Sequence, residues 1–170
     1  LDYQLHNNKE QYDHLKKLRE ENNEEAIKII YEGFFVFAGM WAYGASLDED
    51  KIQFSNSWKS LSSKQFKYEG DQQVFEYYFD PILAQFVNWK QRVAKFNVDF
   101  EGLFSNLVVP TAETTRQAVL LDMHVASKKG MLYVGAAGTG KTTIIKDYFS
   151  TLDKEKTIYA GINFNSYMDC

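Results

Sequence analysis

Eight consecutive residues, Gly135-Ala136-Ala137-Gly138-Thr139-Gly140-Lys141-Thr142, complete the pattern G-x-x-x-x-G-K-[ST]. The chemistry this spacing supports is phosphate binding. Glycines let successive backbone N–H groups turn inward around a polyphosphate, a lysine at this place reaches the β- and γ-phosphates, and the following hydroxyl can ligate Mg²⁺. The expected contact set is therefore Gly135, Ala136, Ala137, Gly138, Thr139, Gly140, Lys141, Thr142 and Thr143, with Thr142 as the Mg²⁺ ligand through the bound nucleotide. Met131 to Val134 reads as a short buried strand entering the loop, and Thr142 to Phe149 as the helix whose N-terminus faces the phosphate. A chance glycine-rich turn would lack strand, loop and helix in this order.

The pattern argues for nucleotide binding more than for hydrolysis. Turnover needs a later strand ending in an acidic residue that holds Mg²⁺ and helps polarise water, and no such strand follows here. With Leu1 rather than methionine at its start, the sequence reads as a piece of a longer polypeptide that should not hydrolyse ATP efficiently alone. Two other readings stand beside this one. One is an independent P-loop ATPase or kinase with a helical N-terminal domain. The other is a structural segment whose loop stays empty or permanently filled, a bound nucleotide then acting as a packing element.

Composition narrows the classes further. In 170 residues, 45% hydrophobic and 25% charged residues are enough for a sizeable buried core. A net charge of -4 gives no overall attraction to nucleic acid, so none is expected as a partner. The single cysteine, Cys170, rules out an internal disulfide framework. The most apolar stretch, Phe34 to Ala45, is too short to span a bilayer, and the N-terminal segment is too polar for a secretory signal, so no membrane partner is expected.

The elements that must position the loop can be taken in order. Leu1 to Glu25 reads as a largely solvated helix with a narrow stripe of Tyr12, Leu15 and Leu18; His6 and His14 are expected as exposed polar residues, and Asn22-Asn23 as a break. Ile27, Ile30, Tyr31, Phe34, Phe37, Ala38 and Trp41 then recur at helical spacing while Phe35, Val36 and Met40 fill other faces, which predicts a helix buried on several sides. Gly44 and the acidic run after it end that helix. Ile52, Phe54, Trp58, Leu61 and Phe66 suggest another amphipathic helix, interrupted by Ser60, Ser62 and Ser63. Val74 to Phe79 reads as an extended aromatic segment, and Trp89, Val93 and Phe96 as a small cluster before a subdomain boundary around Asp99 to Leu107. Thr111 is placed to N-cap a helix with Glu113 in its first turn, closed by Lys128, Lys129 and Gly130. A second strand is expected from Thr157 to Phe164.

In this order the features resemble a dynein heavy chain across most of the sequence. The resemblance rests on Phe34-Phe35-Val36-Phe37-Ala38-Gly39-Met40-Trp41-Ala42-Tyr43-Gly44, on Val74-Phe75-Glu76-Tyr77-Tyr78-Phe79-Asp80 with Trp89 downstream, on Val109-Pro110-Thr111-Ala112-Glu113-Thr114-Thr115-Arg116, on the glycine loop, and on Ile162-Asn163-Phe164-Asn165-Ser166. It implies a mixed α/β chain. Residues 1–100 would form the mainly helical lid of the second AAA+ module, and residues 101–170 the incomplete beginning of the large αβα subdomain of the third. It also implies a microtubule motor whose ring of AAA+ modules turns over ATP, with the third module binding ATP or ADP in a regulatory, gating role. Val109, Pro110 and Thr111 match the segment lying against the adenine, while no hydrolytic glutamate, sensor residue or arginine finger transfers. Implied partners are neighbouring AAA+ modules, other dynein subunits and, through parts outside this chain, microtubules. The loop and Asn163 to Ser166 look more similar to ciliary outer-arm chains than to the cytoplasmic form. Ala112-Glu113 departs from the β-branched residue and aspartate that many relatives carry there.

Overall fold

The computed structural model describes residues 9–95, 108–153, 155 and 157–162. Helices α1 (Lys9–Glu20), α2 (Glu24–Gly44) and α3 (Lys51–Ser62) lead into a 3₁₀ turn at Val74–Glu76, strands β1 (Tyr77–Asp80) and β2 (Gln85–Asn88), and a second 3₁₀ turn at Trp89–Arg92. Helices α4 (Ala112–Ala126) and α5 (Lys141–Thr151) complete the described elements. The fold is mixed and mostly helical. Its sheet, among the described residues, is one antiparallel pair with Tyr77 opposite Asn88 and Asp80 opposite Gln85.

The α1–α2 corner follows from two asparagines. Asn22 takes the left-handed conformation at φ +53°, and the N–H groups of Asn22 and Asn23 donate to the Arg19 and Leu18 carbonyls, closing α1 with a Schellman pair. The Asn23 side chain then accepts from Ala26 N–H and starts α2. The buried stripe of α1 is Gln11, Leu15 and Leu18, while Tyr12 is exposed, which corrects the expected stripe by one position at its start. His14 is half-buried on this helix, and His6 lies outside the described residues.

Helix α2 runs for 21 residues and is long and apolar enough, by length and composition, to cross a membrane. This corrects the length argument made on Phe34 to Ala45. One face of the helix belongs to the core, where Ile30, Phe34, Phe37 and Met40 are buried in the main cluster together with Phe66, Phe75, Phe79, Phe86 and Trp89. It is not buried all round. Tyr31, Ala38 and Tyr43 are exposed and Phe35 is 73% exposed, so the helix is one-sided in spite of its apolar sequence.

Close approach of α2 to the sheet depends on glycine. A Cβ on Gly33 would lie 2.1 Å from Cζ of Phe79, and one on Gly44 would lie 2.4 Å from the Phe54 ring and 2.6 Å from the Phe75 ring. The Phe79 ring meets Phe34 and Phe66 edge-on at centroid distances of 5.3 and 5.5 Å, so it has no free space to retreat into.

Ser55 and Ser62 belong to the packing face of α3, Ser60 is exposed, and the helix ends at Ser62 with Ser63 as its cap. Ser55 is buried and accepts from Val74 N–H at 2.9 Å, and Ser62 hydrogen-bonds the Tyr68 phenol at 2.7 Å. Burial pushes the Tyr68 phenol up to about 12. Ile52 and Leu61, expected on the apolar face, are exposed, and Phe66 is buried beyond the helix end. Lys59 donates to the Gly70 and Gln72 carbonyls and the Asp71 carboxylate, pinning that loop beside the Tyr68 and Tyr77 rings.

The aromatic run at 74–80 is extended only from Tyr77 onward. Asp80 turns the chain by accepting from Ile82 and Leu83 N–H at 2.8 and 3.1 Å, and β2 returns alongside. Trp89 is buried against Phe37 and Tyr78, whereas Val93 is half-buried. Phe96 and the boundary expected around Asp99 to Leu107 lie outside the described residues.

Two further expectations are corrected. Met131 to Val134 forms no strand, with Leu132 85% and Val134 84% exposed, and residues 157–162 form none either, with Ile158 97% exposed. Residues 163 and 164 lie outside the description. A strand is a property of a pair, and neither segment has a ladder partner among the described residues.

Gly33→Ala is expected to destabilise the chain by about 1–3 kcal/mol through overpacking against Phe79, despite alanine's better helix propensity. Urea unfolding checks this; an unchanged or raised midpoint would contradict the packing described.

Candidate functional site

Helix α4 starts as the sequence predicts. Thr111 accepts from Thr114 N–H at 3.1 Å, while its own N–H donates to Thr114 Oγ1 at 2.8 Å, a reciprocal box built from two threonines. Thr114 Oγ1 also lies 3.5 Å from the Val109 carbonyl, so Val109, Pro110 and Thr111 are tied to the first turn. Glu113 sits in that turn, where a carboxylate favours the helix dipole.

The other end of α4 differs from expectation. The left-handed residue is Lys128, at φ +53°, and Gly130 plays no such part. Lys128 N–H donates to Val125 O and Lys129 N–H to His124 O, the Schellman arrangement.

The chain then passes back along α4, where Tyr133 donates to the Gln117 carbonyl at 3.3 Å. It enters the glycine loop with Gly138 at φ +79° and Gly140 at φ +80°, two conformations that side chains other than glycine's rarely adopt. Helix α5 begins directly after Gly140 with no side-chain cap. The N–H groups of Lys141, Thr142 and Thr143 in its first turn therefore lack the intrahelical acceptors available further along the helix.

Lys141 folds back over this loop. Its ammonium donates to Gly135 O at 2.9 Å, Ala136 O at 2.6 Å and Thr139 Oγ1 at 3.0 Å, and Thr139 Oγ1 donates to Ala136 O at 3.0 Å. Gly135, Ala136, Thr139 and Lys141 are thus brought into one cluster. Ala137, Gly138, Thr142 and Thr143 are exposed around it, and Gly140 is half-buried. Val109, Pro110 and Thr111 form a separate group at the start of α4, with no hydrogen bond linking the two groups among the described residues.

Helix α5 is held to α4 by a buried phenol. Tyr148 donates to Asp122 Oδ1 at 2.7 Å, and Phe149 stacks on Tyr159 at 5.0 Å. Burial and the Asp122 carboxylate raise the Tyr148 pKa well above its ordinary value. At its N-terminal half α4 is held by Arg116. The guanidinium donates to Phe75 O and Glu76 Oε1, each at 3.0 Å, also pairs with Glu113, and lies 5.8 Å from the Trp41 ring centroid. Sequence reading places Arg116 in the helix and gives it no role. Its partners at positions 75 and 76 are some forty residues away, and only Glu113, three residues earlier, hints at an ion pair.

The arrangement fits an anion. It presents a cation within the loop, left-handed glycines that leave the approach open, and the uncapped positive end of a helix. An oxygen-ligated Mg²⁺ fits the exposed Thr142 hydroxyl in its chemistry. Loop and helix together define a P-loop protein. A family model for the P-loop containing dynein motor region matches residues 96–170, and one for the dynein heavy chain AAA lid domain matches residues 1–91. Dynein axonemal heavy chain 9 of Homo sapiens is 32% identical over 145 residues, which cover 82% of this chain and 3% of that protein. In Chlamydomonas reinhardtii, the dynein alpha chain of the flagellar outer arm is 33% identical over 157 residues, covering 89% and 4%, and the beta chain is 39% identical over 138 residues, covering 78% and 3%. The chain belongs to the dynein heavy-chain family. It spans only a few per cent of the length of these relatives.

The Tyr148 link carries a pH prediction. Unfolded tyrosine ionises near pH 10, while folded Tyr148 resists ionisation. Its contribution is therefore fully present below about pH 10 and is lost as pH rises through its higher folded pKa. Tyr148→Phe is expected to lower stability at neutral pH and to lessen the alkaline loss, as read by thermal melts from pH 8 to 12. An alkaline decline identical to that of the parent chain would contradict it.

Proposed function

We propose that this chain is the part of a microtubule motor heavy chain in which the lid of the second AAA+ module gives way to the large subdomain of the third, and that it binds ATP or ADP with Mg²⁺ in a gating role. Residues 1–100 are the lid region and 101–170 the opening of the next module. The observation that carries the reading is the Lys141 ammonium, held inside the glycine loop at the uncapped start of α5.

In this reading Lys141 gives up its contacts with Gly135 and Ala136 for phosphate oxygens of higher charge, a charge-assisted exchange that favours the bound state. Gly138, Thr139, Gly140, Lys141, Thr142 and Thr143 offer backbone N–H groups, and Gly135, Ala136 and Ala137 shape the entry. Thr142 holds Mg²⁺, which when bound neutralises phosphate charge. Val109, Pro110 and Thr111 lie on the base side.

Carboxylates on and beside α4 are engaged elsewhere. Glu76 and Glu113 pair with Arg116, and Asp122 accepts from Tyr148. In this reading turnover needs an acidic group on a later strand, so the isolated chain binds nucleotide without efficient turnover. Neighbouring AAA+ modules and other dynein subunits are its partners, and the axoneme of a cilium or flagellum is its location, as the names of the relatives suggest. Microtubules are engaged through parts of the heavy chain outside this segment.

In the intact heavy chain, Lys141→Ala is expected to weaken nucleotide binding at this site at least about tenfold, about 1.4 kcal/mol, and to disturb microtubule gliding. Equilibrium binding and gliding assays check both. Unchanged occupancy together with unchanged gliding would overturn the assignment.

A further inference from the structure

Arg116 makes its hydrogen bonds away from the glycine loop, and through them α4 meets the first half of the chain. The side chain is only 12% exposed, and its fork joins one carbonyl, Phe75 O, and two carboxylates, Glu76 and Glu113, beside Trp41. Glu113 lies on the same helix, whereas Phe75, Glu76 and Trp41 belong to the first half of the chain. The Thr111–Thr114 box fastens Val109 to Thr111 to the same first turn of α4, one turn before Arg116. Beyond Arg116, Gln117 O receives Tyr133 and Asp122 receives Tyr148, which binds α4 to the loop's entry and to α5. One helix therefore carries the base-side segment at its start and braces the phosphate side further along, and Arg116 docks that helix on the 75–76 turn.

We propose that Arg116 is a positioning residue for nucleotide recognition: by clamping the first turns of α4 to the Phe75 carbonyl and Glu76, it keeps the helix start, which carries Val109–Thr111, from rocking about the Tyr148–Asp122 contact that ties its later part to α5. This rests on the reading of Gly135 to Thr143 and Val109 to Thr111 as one nucleotide site. A planar fork taking a carbonyl and two carboxylates at once is geometry that a lysine cannot reproduce. The effect falls on the base and not on the phosphates, because Lys141 and the start of α5 are left untouched.

The test uses the intact heavy chain carrying Arg116→Gln, Arg116→Lys or Glu76→Gln, with Lys141→Ala chains defining the binding that belongs to this site. Two probes are titrated, MgADP and inorganic tripolyphosphate, which has the phosphates and no base. Arg116→Gln and Arg116→Lys are expected to weaken MgADP about five- to tenfold and to leave tripolyphosphate within about twofold. Glu76→Gln, at a more exposed carboxylate, is expected to give a smaller change of the same kind and keeps the test open should Arg116→Gln fail to fold. Equal losses for both probes would mean general destabilisation and would overturn the proposal, as would unchanged MgADP affinity in all three variants or full retention in Arg116→Lys. If Lys141→Ala removes no MgADP binding, the nucleotide site itself fails, an outcome distinct from failure of the Arg116 role.

Discussion

The docking of α4 through the Arg116 guanidinium is the constraint on which the geometry of this chain depends. Helix α4 meets the core through Leu120, which is buried, and through Ala112, Val119 and Met123, which are half-buried against it. Apolar burial holds the helix down without fixing its direction, and Arg116 adds two directional contacts to the first half of the chain, Phe75 O and Glu76, while its third partner, Glu113, lies on α4 itself. The Arg116 nitrogen Nε is buried without a protein partner, so the guanidinium is held by its two terminal nitrogens and by the Trp41 ring beside it. Glu76 and Glu113 retain partial solvent contact, which moderates the desolvation that a fully buried ion pair would incur.

The first half of the chain supplies a rigid seat for that contact. Phe75 lies between Trp41 at 5.4 Å and Phe54 at 6.1 Å, so the carbonyl that Arg116 reads belongs to a residue fixed by ring packing. Gly33 and Gly44 allow the rings of the sheet and of the 74–76 turn to press against α2, and Ser55 satisfies the Val74 N–H that the turn would otherwise bury unpaired. The glycine loop is a contrast to this seat: most of it is exposed, and its one strong organiser is a lysine bound to the loop's own oxygens.

What the sequence reveals and what it hides divide along physical lines. The loop, the helix after it, the Thr111 cap and the Asn22-Asn23 corner are legible because each depends on residues within a few positions of one another. Strand β2 is hidden because Gln85 to Asn88 is four residues long and pairs only after Asp80 has turned the chain. Met131 to Val134 has a strand's composition, but a ladder needs a neighbour that no nearby residue predicts. Phe35 and Tyr31 look like core and are exposed, since hydrophobicity alone does not say which side of a helix finds a partner. Arg116 is hidden for the same reason, its partners being some forty residues distant.

The central claim is that Gly135 to Thr143 and Val109 to Thr111 together hold one nucleotide. A density map of the intact heavy chain at saturating MgADP tests it most directly. Phosphate density is expected against the N-terminus of α5, with Lys141 turned from the Gly135 and Ala136 carbonyls toward it and a base beside Val109 to Thr111. A loop without nucleotide density, Lys141 still bonded to those two carbonyls, would contradict it.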